Sequence, residues 1–132
     1  MDIRVFSLRL AVALLLGAVI GLERQWRHRM AGTRTNALVA AGAAAFSMAG
    51  HLIVGDNSGE GRVVSYVGSG VGFLGAGVIF REGANIQGLN TAATVWCSAA
   101  VGVLVRNGFP VVFASDCAGC YPDQCHAAAA DL

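Results

Sequence analysis

Apolar residues along this chain gather into long unbroken runs and do not alternate with polar ones. Residues 5–22, 36–54 and 63–80 each carry enough of them for an α-helix to cross ~30 Å of hydrocarbon at ~1.5 Å per residue. A fourth run begins near Thr91 and stays apolar to Val105, where Arg106 and Asn107 interrupt it. That length barely spans a bilayer, so a tilted, thinned or partly re-entrant segment is expected there. Three polar stretches separate the runs: GLERQWRHRMAGTRT, the turn-rich HLIVGDNSGEGR, and a loop of about ten residues, REGANIQGLN. The pattern predicts an all-α, polytopic membrane protein with four transmembrane helices and leaves a degenerate fifth open.

The third run contains five glycines, and Gly68, Gly72 and Ala76 recur at four-residue spacing. In lipid, such a small-xxx-small stripe lets helix backbones approach closely, and Gly17 and Gly21 form a second one at the end of the first run. Thr91, Thr94 and Ser98, with Asn90, give the fourth run a polar edge; such groups face other helices or a wet cavity. Trp26 and Trp96 read as interface anchors. Association with membrane lipid follows from the pattern, and pairing with a second copy stays open.

Composition sharpens this picture. Of 132 residues, 55% are hydrophobic and only 13% charged, with 18 glycines besides, which exceeds the apolar share of an ordinary soluble domain. A net charge of +1 supplies no basic face for nucleic acid. All the basic residues are arginine, and without lysine no Walker A loop can form. Gly70, Gly72 and Gly75 satisfy G-x-G-x-x-G, but inside an unbroken apolar run and with Asn90 where a dinucleotide fold needs an acid, so that match is accidental. A cleaved signal peptide is disfavoured because no small-x-small site leads into polar sequence. Arg24, Arg27, Arg29, Arg34 and Arg81 fall on one side of a four-span topology, which the positive-inside rule makes cytoplasmic. The N-terminus, the Asp56 loop and Arg106 then lie opposite. Headgroup or nucleic-acid binding is the sharper alternative for RQWRHR.

Glu23 beside Arg24 and Glu82 beside Arg81 each close an apolar run. Leaving such charges unpaired would be costly, so pairing with each other's arginines or with Arg34 is expected. The functional alternative is a cytoplasmic polar cluster that receives a partner or a cation. His51 has no second His or Cys at i+3 or i+4 spacing to make a metal site, and Asp56 with Glu60 offers too few ligands for a calcium or magnesium cage. Cys117, Cys120, Cys125 and His126 form C-x2-C-x4-C-H, enough ligands for zinc but at a spacing that fits no zinc ribbon. The preferred reading divides the chain into a transmembrane domain, residues 1–110, and a divergent or frame-shifted cysteine-containing tail, residues 111–132. Cys97 lacks a nearby base and reads as a small buried residue, so no catalytic residue is assigned. No enzymatic activity and no cofactor are expected.

Three signatures, GAVIGLERQWRHRMAGTRTNALVAAGAAAFS, VGSGVGFLGAGVIFREG and IQGLNTAATVWCSAAVG, occur in order over most of residues 10–105. In these the chain resembles the MgtC/SapB family of bacterial inner-membrane proteins. The resemblance implies a compact hydrophobic domain of four or five membrane helices, and a role in adaptation to low magnesium and, in pathogens, in virulence through survival inside host phagocytes. It implies action on other membrane machinery, the ATP synthase included, without convincing magnesium transport; a magnesium transporter or channel is the alternative. It also marks Asn90 and Cys97 as functional positions. After about Val105 the chain departs from the family pattern, where a fifth apolar helix is expected.

Overall fold

Four helices and one short hairpin make up the residues that the structure, a computed structural model, describes: 3–54, 57–82 and 85–106. In chain order they are α1 (Ile3–Trp26), α2 (Thr33–Val54), α3 (Asn57–Val78), β1 (Phe80–Glu82), β2 (Asn85–Gln87) and α4 (Leu89–Val105). Helices α2 and α4 form the central pair, each touching the other three elements of the bundle.

Small residues set how closely these helices lie. A Cβ added at Gly17 would stand 2.6 Å from the Asn36 carbonyl oxygen, and one at Gly21 would overlap the Thr33 backbone, so α1 and α2 meet backbone to backbone. Gly102 does the same for α4, its α-carbon facing the Ala40 carbonyl. At the far end of α2, Gly50 makes room for Val63 of α3. The core is correspondingly fine-grained. One cluster joins Ala13, Ala44, Met48 and Val105; another joins Ala43, Val71, Val95 and Ala99. The large apolar side chains point outward instead: Leu15, Val19 and Leu22 on α1, Phe46 and Ile53 on α2, and Tyr66, Phe73 and Leu74 on α3 are all exposed. Small residues inside and bulky apolar ones outside are what a hydrocarbon solvent favours, and the arrangement fits association with a membrane. By length and composition, α1 and α2 can each cross one, whereas α4 is a shorter apolar helix.

Two expectations need correction, and a detail is added to a third. The fold is mostly helical, as expected, and part of the loop after the third run adds a short antiparallel hairpin in the register Phe80↔Gln87, Arg81↔Ile86, Glu82↔Asn85. Pairing satisfies backbone groups that an irregular loop would leave open. The turn-rich stretch is largely helical too: α2 runs to Val54, and α3 starts at Asn57 although glycines and a serine weaken its first turns. Tertiary contact between Val63 and Gly50 supports helix there, and the Ser65 hydroxyl donates to the Gly61 carbonyl at 2.9 Å. Finally, the stripe of Gly68, Gly72 and Ala76 does not hold α3 to another helix: Cβ atoms added at Gly68 and Gly72 meet nothing within 4 Å, and Ala76 is exposed. Among the described residues, α3 reaches its neighbours through Val63, Val67, Val71 and Gly75.

Candidate functional site

The end of α1 determines what gathers at the basic end of the bundle. The Arg29 N–H donates to the Arg24 carbonyl at 3.0 Å and the His28 N–H to the Gln25 carbonyl at 3.1 Å, the paired bonds of a Schellman cap. His28 occupies the left-handed position of that cap with φ 53°, where glycine is the usual residue. The reversal folds His28 and Arg29 back over the last turn of α1. On the other side, Gly88 takes φ 93° between β2 and α4, and its α-carbon lies against the Val78 carbonyl, so that α4 starts beside the end of α3. A side chain at that position would be strained and would collide.

Between these two turns lies a cavity of about 650 Å³ whose polar lining comes from Arg24, His28, Arg29, Gln87, Asn90 and Thr91. Arg24 is buried in its wall at 6% exposure and donates from Nη2 to Thr91 Oγ1 at 2.6 Å. Its Nε is shielded from solvent and has no partner. About 10 Å further along α4, seven residues on from Thr91, a second polar group joins the helices. Ser98 Oγ donates to Asn36 Oδ1 at 2.8 Å, with the Thr94 carbonyl at 3.0 Å as its alternative acceptor. Asn36 Nδ2 in turn donates to the carbonyls of Ala31 and Gly32 at 2.7 and 3.0 Å. Asn36 and Ser98 are fully buried. The amide orientation is dictated by its neighbours, since both backbone partners can only accept.

The expected site residues divide between these surroundings. Asn90 is exposed at the cavity, its carbonyl accepting the Thr94 hydroxyl at 2.7 Å. Cys97 is a half-buried free thiol on the same helix, and because α4 begins at Leu89, before Asn90, the two positions lie near one face. Among the described side chains Glu23 pairs with neither Arg34, an expected partner, nor its neighbour Arg24, and the Arg81 and Glu82 pairings lie outside the described side chains. Glu23 is bonded at 3.3 Å to Arg27, one turn on, leaving Arg24 to turn inward. Arg34 is exposed in the first turn of α2 and is not part of the cavity lining. Arg81 and Glu82 lie in β1, and their side chains are outside the described ones. Gly17 and Gly21 are buried against α2. The cluster of Cys117, Cys120, Cys125 and His126 lies outside the described residues, among which no three His, Cys, Asp or Glu side chains are grouped to hold a metal.

Asn36 escaped notice in the sequence because it opens an apolar run and looks like a boundary marker. A buried amide within a membrane-length helix is itself a signal that a partner exists. His28 and Arg29 were legible only as part of the RQWRHR segment, read as topology-setting or as headgroup-binding, and not as the lining of a cavity.

Comparison with known proteins decides the lineage. The family model described as MgtC family matches residues 10–118. The chain belongs to the MgtC family. Protein MgtC of Brucella abortus (strain 2308) is 63% identical over 99 residues, 75% of this chain and 41% of the relative. Protein MgtC of Salmonella typhimurium (strain LT2) is 61% identical over 103 residues, 78% of this chain and 44% of the relative. The chain therefore spans less than half the length of these MgtC relatives. No solved structure matches it.

Proposed function

We propose that the protein is a multi-pass protein of the bacterial inner membrane that modulates adaptation to low magnesium and stress, with a part in virulence where the bacterium is a pathogen. It acts without enzymatic chemistry on other membrane machinery, for which the ATP synthase is a candidate, and its arginine-rich end faces the cytoplasm. Membership of the MgtC family supports the general type. The observation that carries the reading is the polar cavity, whose described lining holds two arginines, a histidine and two amides but no carboxylate. A path for a hard divalent cation calls for several oxygen ligands, acids foremost, and in sequence no acid falls between residues 33 and 54, 63 and 78, or 89 and 105. A cationic, amide-rimmed end suits docking of an acidic partner better than conduction of Mg²⁺. Asn90 at the cavity and Cys97 two turns along the same helix would belong to the docking face, and Glu23, Arg34, Arg81 and Glu82 remain candidates by their place in the sequence.

The test is complementation in a strain lacking its own copy of the gene. Asn90→Ala and Cys97→Ala should each impair growth in low magnesium while membrane abundance stays near that of the parent. Full growth of both variants would remove α4 from the working surface. Loss of abundance in both would show that the two residues serve folding alone.

A further inference from the structure

The basic end carries a charge that the described fold does not balance. Arg24 is 6% exposed, meets the neutral Thr91 hydroxyl through Nη2, and has an Nε without any partner. A guanidinium so far removed from water is ordinarily compensated by an anion. Its neighbour Glu23 cannot serve, being exposed and engaged with Arg27. Arg29 and His28 add positive or proton-bearing groups to the same cavity.

A separate feature points into the same space. The N-cap of α4 is Gly88, which offers no side chain to the first turn, and the helical ladder starts only with the Ala92 N–H on the Gly88 carbonyl at 2.9 Å. The N–H groups of Leu89, Asn90 and Thr91 thus have no acceptor within the helix, and all three residues line the cavity. Orphan donors, the positive end of a 17-residue helix and an uncompensated arginine converge on one volume.

We propose that this cavity is an anion site for a phosphate group, with Arg24 as its buried wall, Arg29 as its exposed rim and the first turn of α4 as its backbone cradle. Phosphate is the anion whose several oxygens can use a planar guanidinium and a row of N–H donors together. The group arrives either as free inorganic phosphate or as the headgroup of an anionic phospholipid. The site stands independently of the role in magnesium adaptation, because its test reads binding and not growth.

The experiment uses the full chain purified in a maltoside detergent, which carries no phosphate. Inorganic phosphate and short-chain phosphatidylglycerol are titrated separately by calorimetry. At least one should bind saturably at a single site. Arg24→Gln should weaken that binding about tenfold or more and Arg29→Gln several-fold. Arg62→Gln should leave it unchanged, since Arg62 is exposed sixteen residues, about 24 Å, along α3 from Val78. Phosphate binding identifies the free anion, and binding of phosphatidylglycerol alone identifies the headgroup. If circular dichroism shows Arg24→Gln to be misfolded, the exposed Arg29→Gln decides. Absence of saturable binding for both probes overturns the proposal, as does equal weakening by Arg62→Gln and Arg29→Gln, which would mean diffuse surface charge.

Discussion

Asn36 ties three segments with one amide: it donates to the α1–α2 turn at Ala31 and Gly32 and accepts from Ser98 of α4. Removing it strands the Ala31 carbonyl and leaves a small void in a fully buried position. Asn36→Ala is therefore expected to cost about 2 kcal/mol in reversible unfolding from mixed micelles. Ser98→Ala should cost less, because Ser98 has the Thr94 carbonyl as a second acceptor. The double-mutant cycle should return a coupling of roughly 0.5–1.5 kcal/mol, the range of interhelical hydrogen bonds in membranes. A coupling of zero would mean that the bond seen here does not hold the helices together. The partners are 62 residues apart, which is why composition and spacing revealed the polar edge of α4 but not what it meets. Glu23 shows the opposite case. Its pairing with Arg27 follows from helix periodicity, whereas a side chain adjacent in sequence, Arg24, points to another face.

Helices α1 and α2 were legible as runs, and Gly17 with Gly21 as a close-approach pair, because both signals are local. The start of α3 was not, since the helix there is sustained by contact with α2 and not by residues 57–62 themselves. The hairpin was hidden for a similar reason: three-residue strands carry too little alternation to be read. Glycine spacing alone also could not distinguish a stripe that holds helices together from one that faces outward. The same substitution on two helices separates them. Gly102→Ala drives a methyl group into the Ala40 carbonyl and should destabilise the bundle by about 1–3 kcal/mol. Gly72→Ala meets open space, and the gain in helix propensity should leave stability unchanged or raised by up to about 1 kcal/mol. Thermal unfolding in one detergent compares both. A destabilised Gly72→Ala would mean that α3 makes a contact through this face, with a second copy the first candidate to be sought by cross-linking.

Taken whole, the described residues have a fine-grained core, a bulky apolar exterior and a basic end that bears a polar cavity. The first two features fit association with a membrane, and the third is what the proposed docking role rests on. The distinction between modulator and transporter is decided by flux. The full chain is reconstituted into sealed vesicles loaded with a magnesium-sensitive dye, and an inward magnesium gradient is imposed. Influx should equal that of protein-free vesicles, for the parent and for Asn90→Ala alike. Saturable influx that scales with the amount of protein and disappears in Asn90→Ala would contradict the account and make transport the function.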